Sequence, residues 1–237
     1  MSLPLFFQEN LSIGDGLIVL DEDSSKHIVQ VLRMKEGEEI QLTDGVGNIH
    51  TVRIEKSDKR KCEVRIRSSA FTAPPEKKTA IAISLLKNNS RFEWFLEKAT
   101  EIGVTEITPL ICARTERQHF RFDRMKNILV SAILQSRQPW LPTLKEPLHF
   151  NELIQKTNGV YVNRFIAHCD EGEKKLLSDI KVSDSSQSII LIGPEGDFTS
   201  NEIAHAKELG FVSVSLGETR LRTETAGMVA AVLLNIS

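Results

Sequence analysis

The sequence predicts an α/β protein: a mainly parallel sheet of about five strands covered by helices, behind a small β-rich N-terminal domain. Three observations lead there. From Thr79 onward, short apolar runs alternate with amphipathic stretches of helical period. Before Thr72 the chain is a series of short β-rich segments punctuated by Gly, Asp and Asn. Between them lies "TAPPEKKT" (Thr72 to Thr79), where tandem prolines exclude helix and leave an extended linker. The expected boundaries are 1–72 for the first domain, 73–78 for the linker and 79–237 for the second domain.

In the first domain "DGLIVL", "EEIQLTDG", "NIHTVRIEK" and "CEVRIRSSAF" read as strands of a small barrel or sandwich. "SSKHIVQVLRM" interrupts them as a helix, with Ile28, Val31 and Leu32 expected on one face. In the second domain "TAIAISLL" is an apolar run suited to a strand buried on both faces. "RFEWFLEKATEIG" places Phe92, Phe95, Leu96 and Ala99 on one helical side and ends at Gly103. "EITPLICA" is a strand, "RFDRMKNILVSAILQSRQ" a helix, and "RFIAHCD", "SIILIG" and "FVSVSL" are further strands. After "LIG", Thr199 and Glu202 form a capping box, Phe198 and Ile203 a hydrophobic staple, and Gly210 ends the helix. The last helix, "AGMVAAVLLNI", is apolar on every face except at Asn235, so it needs cover on all sides.

Bulk properties narrow the function. The 237 residues are 41% hydrophobic and 26% charged, with a net charge of −2, so a polyanionic partner has to be met by local patches. No apolar run approaches the roughly 20 residues of a membrane span, and the N-terminus lacks signal-peptide character. Cys62, Cys112 and Cys169 are too scattered for a disulfide framework or a Cys-x-x-Cys metal site. A cytoplasmic protein without metal and without membrane contact is expected.

Two glycine turns stand out, "LIGPEGDFTSNEI" (Leu191 to Ile203) and "SLGETRLRTETAG" (Ser215 to Gly227). Each runs from an apolar strand into a helix start, and neither fits a phosphate loop or a dinucleotide fingerprint. In an α/β sheet such turns lie where ligands sit, beyond the carboxyl ends of strands. A rigid strand-to-helix connection would look the same in the first turn alone. Two basic stretches suit RNA. Arg53 to Arg67 carries seven Lys/Arg against three acidic residues, and Arg114 to Lys126 five against two, with Phe120 and Phe122 interleaved. A charged strand edge or a solvated helix face would carry the same residues. His27 suits RNA contact or a capping role. His168 and Cys169 lack a second ligand at metal spacing.

"IGPEGDFTSNEI" followed by "SLGETRLRTETA" resembles the signature of the SPOUT methyltransferases, specifically the bacterial family that methylates N3 of a uridine in 16S ribosomal RNA. "HIVQVLR" (His27 to Arg33), "EKATEIGVTEITPL" (Glu97 to Leu110) and "LQS" (Leu134 to Ser136) match the same family in the same order. The resemblance implies a PUA-like β-barrel at the N-terminus and a deep trefoil knot in the C-terminal methyltransferase domain. It implies S-adenosylmethionine as cofactor, 16S ribosomal RNA or the small subunit as partner, and a homodimer. It assigns the cofactor to His168, Leu191, Ile192, Gly193, Pro194, Glu195, Gly196, Leu216, Gly217, Leu221, Arg222, Thr223, Thr225 and Ala226.

Arg222 is expected beside the target base, where a guanidinium favours the uridine anion. Glu195 and Glu224 are the candidates for accepting the N3 proton or for holding Arg222. RNA is expected at His27, Arg33, Arg60, Lys61, Arg65, Arg114, Arg117, Arg121, Arg124 and Arg220. The chain departs from the usual pattern at Leu5, Gln138, Asp197, Thr219 and Arg220. The family usually has glycine at the position of Asp197. Methylation at another RNA position, such as a ribose 2′-hydroxyl, and a non-catalytic assembly factor are the alternatives.

Overall fold

The computed structural model describes residues 3–9, 11, 17–116, 119–183 and 187–235. It divides into two compact units, Met1–Pro74 with Ile133–Leu141, and Pro75–Ala132 with Pro142–Ser237.

The first unit is built on a five-stranded sheet of β1 (Leu5–Phe7), β2 (Leu17–Val19), β3 (Glu39–Thr43), β4 (Asn48–Lys56) and β5 (Glu63–Phe71), in the order β1-β3-β4-β5-β2. Alternating side chains such as Ile40, Leu42, Val52, Ile54 and Val64 are buried together with Ile28 and Cys62. The helix expected over "SSKHIVQVLRM" is short. α1 (Glu22–Lys26) starts at Asp21, whose side chain accepts from Ser24 N. It passes into a π-helical turn, His27–Val31, closed by Leu32 N–H donating to His27 O at 2.9 Å. The wider turn breaks the 3.6-residue repeat. Ile28 is therefore fully buried, while Val31 and Leu32 are 65% and 40% exposed rather than sharing its face. Residues Ile133–Leu141 join this unit through Trp140, whose Nε1 donates to Thr72 O at 3.0 Å, and through Leu141 N–H to Gly45 O at 2.8 Å.

The second unit holds β6 (Lys78–Ser84), α2 (Asn89–Ile102), β7 (Glu106–Ile111), α3 (Phe122–Ser136) as far as Ala132, β8 (Thr143–Leu144), β9 (Leu148–His149), α4 (Phe150–Lys156), β10 (Asn163–Ala167), β11 (Lys175–Leu176), β12 (Gln187–Ile192), α5 (Ser200–Glu208), β13 (Val212–Ser215) and α6 (Thr223–Asn235). The sheet order is β11-β13-β10-β12-β6-β7-β8, with β9 also on β7, and every pairing is parallel. The five expected strands form its centre. The three additional ones are two residues long, too short to leave a hydrophobic period in the sequence.

Both faces of the sheet are covered, as a parallel sheet requires. Ala80, Ala82, Ile189 and Leu191 pack with Phe150, Leu153 and Ile154 of α4 and with Ile203 and Ala206 of α5. The alternate residues of β6 and β12 lie under α6, which also packs along α2. α2 buries Phe92, Phe95, Leu96 and Ala99 and stops at Gly103 in the left-handed conformation, φ 94°. The α5 capping box forms in both directions between Thr199 and Glu202.

Close approach of α6 to α2 depends on Gly227. A Cβ there would sit 2.7 Å from Phe95 Cε2 and 2.9 Å from Ile83 Cδ1. In an exposed helix, Gly→Ala gains about 1 kcal/mol. Here overpacking of about 1–3 kcal/mol opposes it, because Phe95 is fully buried and has little room to move. Gly227→Ala is therefore expected to lower stability by up to about 2 kcal/mol in urea unfolding. A raised midpoint would show that the helix pair can spread without loss.

Candidate active site

β13, β10 and β12 are neighbours, all parallel, and all end at the same edge of the sheet. The loops leaving them enclose a cavity of about 520 Å³. Its walls are Ala167 to Cys169 after β10, Ile192 to Glu195 with Asp197 after β12, and Val214 to Thr223 after β13, with Lys174 and Ala226 completing it. The two glycine turns, separated in sequence by α5 and β13, meet here.

Each turn is braced locally. After β12, Asp197 N–H donates to Pro194 O at 2.9 Å, and Arg114 Nη1 donates to Gly196 O at 2.6 Å. After β13, Ser215 Oγ donates to Gly217 O at 2.8 Å and accepts from Gly217 N–H at 3.4 Å. Gly217 has φ 143°, a conformation that side-chain-bearing residues rarely adopt. Thr223 opens α6 at the cavity wall and is buried.

Of the residues expected to hold a cofactor, His168, Ile192, Gly193, Pro194, Glu195, Leu216, Gly217, Leu221, Arg222, Thr223 and Ala226 line the cavity. Four do not. The Leu191 side chain belongs to the core under α4 and α5, because neighbouring residues of a strand face opposite sides and Ile192 takes the cavity side. Gly196 lies beside the Arg114 side chain. Thr225 is in the first turn of α6, outside the wall. Glu224 is buried and pairs with Arg91, Oε1 to Nε 3.6 Å. The ion-pair partner the structure gives Glu224 is Arg91. Glu195 stays at the cavity, its Oε1 accepting from Lys87 N–H at 3.4 Å.

The basic residues expected to meet RNA divide. In the first unit Arg33, Arg60 and Lys61 are exposed, and Arg65 lies 3.5 Å from Glu55. His27 packs edge-on to Phe6 with ring centroids 5.7 Å apart. In the second unit Arg121 and Arg124 rim a shallow hollow, with Arg124 held on both Glu93 oxygens at 2.6 and 2.9 Å. Arg114 is engaged by the first glycine turn, and Arg220 is in the wall of the cavity. Arg117 lies outside the described residues. Lys174 and Ser215 line the cavity without having been expected to hold a cofactor, and Cys169 joins them at the strand end where the sequence places it. Ser215 ends β13, which is a local signal, whereas Lys174 directly precedes β11 and carries none.

His168 is the most unusual group in the wall. Its Nε2 lies 2.9 Å from Ser213 Oγ, while Nδ1 is buried and has no hydrogen-bond partner. Burial first, and then the Lys174 charge, hold its pKa below the usual imidazole range, so it is a neutral ring with one open nitrogen. Lys174 Nζ donates to His168 O at 3.3 Å and Asp170 O at 2.7 Å.

Residues 73–235 match the family described as RNA methyltransferase domain, and residues 20–67 the one described as RNA methyltransferase PUA domain. The chain belongs to the RNA methyltransferase family. It is 30% identical to the ribosomal RNA small subunit methyltransferase E of Synechocystis over 226 residues, 94% of this chain and 74% of the relative. The solved methyltransferase E of Neisseria gonorrhoeae, bound to S-adenosyl methionine, is 31% identical with a TM-score of 0.86, covering 99% of this chain and 97% of that one. A structure described as a probable rRNA-methyltransferase from Porphyromonas gingivalis is 37% identical with a TM-score of 0.89, over 97% and 95% of the two chains. In this RNA methyltransferase the first unit carries the PUA domain, and the cavity belongs to the methyltransferase domain.

The depressed His168 pKa has a sign for stability. The unfolded chain takes a proton near 6.5, and the native chain only at lower pH, so acid favours unfolding. The stabilisation is complete above about 6.5 and is lost as pH falls through the native value. His168→Gln is expected to show a smaller drop in urea midpoint between about pH 7.5 and 5 than the parent. An identical drop would place the acid sensitivity elsewhere.

Proposed function

We propose that this chain transfers a methyl group from S-adenosylmethionine to N3 of a uridine in small-subunit ribosomal RNA, in the cytoplasm. The observation that carries the reading is the meeting of both glycine turns and Arg222 at one cavity beyond three parallel strand ends. The residues suit the cofactor. The volume, about 520 Å³, is in the range of small-molecule sites. Ile192, Val214, Leu216 and Leu221 offer apolar walls for an adenine, while the backbone of the glycine turns offers polar contacts. When bound, S-adenosylmethionine supplies a methyl group already activated on a sulfonium.

The protein's share is position and charge. Uridine N3 carries a proton, and its loss spreads negative charge over N3, O2 and O4. The Arg222 guanidinium, always charged and able to donate two parallel hydrogen bonds, favours that anion. Glu195, which lines the cavity, and Glu224, which is paired with Arg91, are the carboxylates offered to take the proton or steady Arg222. Arg33, Arg60, Lys61, Arg121, Arg124 and Arg220 hold the RNA backbone. The knotted path that the resemblance implies is part of the same proposal.

Calorimetric titration of S-adenosylmethionine, followed by methyl transfer to small-subunit RNA, tests the whole reading. No binding at millimolar cofactor would end it. Arg222→Ala should fold, bind cofactor and transfer methyl about 10²–10³-fold more slowly. Arg222→Lys should recover little, because a point charge cannot copy the planar fork. Raising the pH should partly rescue the alanine variant as more uridine ionises unaided. Near-normal turnover of Arg222→Ala at saturating RNA would return this residue to a structural role.

A homodimer belongs to the proposal as well. α6 buries Gly227, Ala230, Ala231 and Leu234 inside the unit, yet Val232 is 37% exposed and Val229 is half-buried. A second copy would cover this apolar strip symmetrically. Val229→Asp should shift the species seen by light scattering toward monomer. A parent protein that is monomeric at micromolar concentration and fully active would exclude the dimer.

A further inference from the structure

Asp197 departs from the pattern of the family, and the structure gives it a specific task. It is one of three described non-glycine residues with positive φ, at 62°, alongside Arg33 and Arg137, and it alone of the three lines the cavity. Aspartate is among the few side chains that tolerate this region, and glycine enters it without strain. The carboxylate uses both oxygens on backbone. Oδ1 accepts from Phe198 N–H at 2.7 Å, within its own turn. Oδ2 accepts from Cys169 N–H at 2.7 Å, in the loop after β10, 28 residues away.

The second bond joins two walls of the cavity. His168 and Cys169 form one, and Gly193 to Glu195 the other. Lys174 closes the loop after β10 only upon itself. Ser200 Oγ to Asp170 Oδ2, at 3.3 Å between exposed atoms, is the longer of the two links between these segments. On its other side the turn after β12 is held by Arg114 at Gly196 O. Asp197 therefore couples the loop after β10 to a turn that is itself fastened. A glycine in its place would relax the backbone and leave Cys169 N–H without this acceptor.

We propose that Asp197 is a positioning residue for the cofactor: its carboxylate ties the His168–Cys169 loop to the turn after β12 and so holds the cavity in its binding shape in advance. The inference rests on the reading of this cavity as the S-adenosylmethionine site. Pre-organisation of this kind strengthens binding by removing the ordering that would otherwise accompany it. A tie of one charge-assisted hydrogen bond corresponds to roughly tenfold in affinity.

Asp197→Gly and Asp197→Asn test this through three measurements on the intact chain. These are hydrogen exchange at the Cys169 amide without cofactor, S-adenosylmethionine affinity by calorimetry, and melting temperature. Asp197→Gly should melt within a few degrees of the parent, because relief of the positive φ offsets part of the lost bonding, exchange the Cys169 amide about tenfold faster or more, and bind cofactor about tenfold more weakly. A residue with a merely structural role would lose melting temperature along with affinity. Asp197→Asn tolerates the same φ and keeps one acceptor oxygen, so it should fall between glycine and the parent in both exchange and affinity. If Asp197→Gly is destabilised, Asp197→Asn decides. Unchanged Cys169 protection and parent-like affinity in the deciding variant would overturn the proposal. Failure of the parent chain to bind S-adenosylmethionine would instead overturn the cofactor reading, with Cys169 exchange still reporting on the tie.

Discussion

The burial of a parallel sheet on both faces governs the rest of the molecule. Ile189 and Leu191 pack under α4 and α5, and the alternate residues of β12 lie under α6. With both faces closed by apolar packing, a ligand can approach the sheet only at the ends of its strands. β10, β12 and β13 run in the same direction side by side, so their final residues and the loops beyond them share one edge. The cavity is the space those three loops leave.

What the loops present follows from how little side chain they place there. Gly193 and Gly217 keep the turns slim, and Ser215 and Asp197 bond backbone groups that the turns would otherwise leave open. The wall is thus a mixture of backbone, small apolar side chains and a few charges. His168 stands apart. Its ring is half-buried, bonded to Ser213 on one nitrogen, with the other nitrogen buried and unpartnered.

Charge is allotted by geometry rather than by clustering along the chain. Arg114 and Arg124 come from the same basic stretch, yet Arg114 serves the first glycine turn and Arg124 is paired with Glu93. Arg220 and Arg222 instead line the cavity, as does Glu195. Glu224 follows Arg222 by two residues but is turned inward to Arg91, because the first turn of α6 buries that side. Neighbouring residues therefore have different chemical roles once a helix begins between them.

Features that rest on local physics were legible in the sequence. The α5 capping box, the buried side of α2, its glycine stop, the five long strands and the two glycine turns each depend on residues within a few positions of one another. The paired turns also carried the family. Features that rest on residues brought together from afar were not legible. The expected first-domain helix breaks into a π-helical turn that buries Ile28 in the core, with Val29 and Met34 packed against it. The inclusion of Ile133–Leu141 in the first unit depends on bonds such as Trp140 to Thr72, 68 residues apart. Arg114 meets Gly196 across 82 residues, and Asp197 meets Cys169 across 28. Sequence alone determined that there are two ligand-grade turns on an α/β scaffold, because hydrophobic period and turn chemistry act over short distances. Only the tertiary structure decided which side chains those turns share, because hydrogen bonds form between neighbours in space, and strand order sets who the neighbours are.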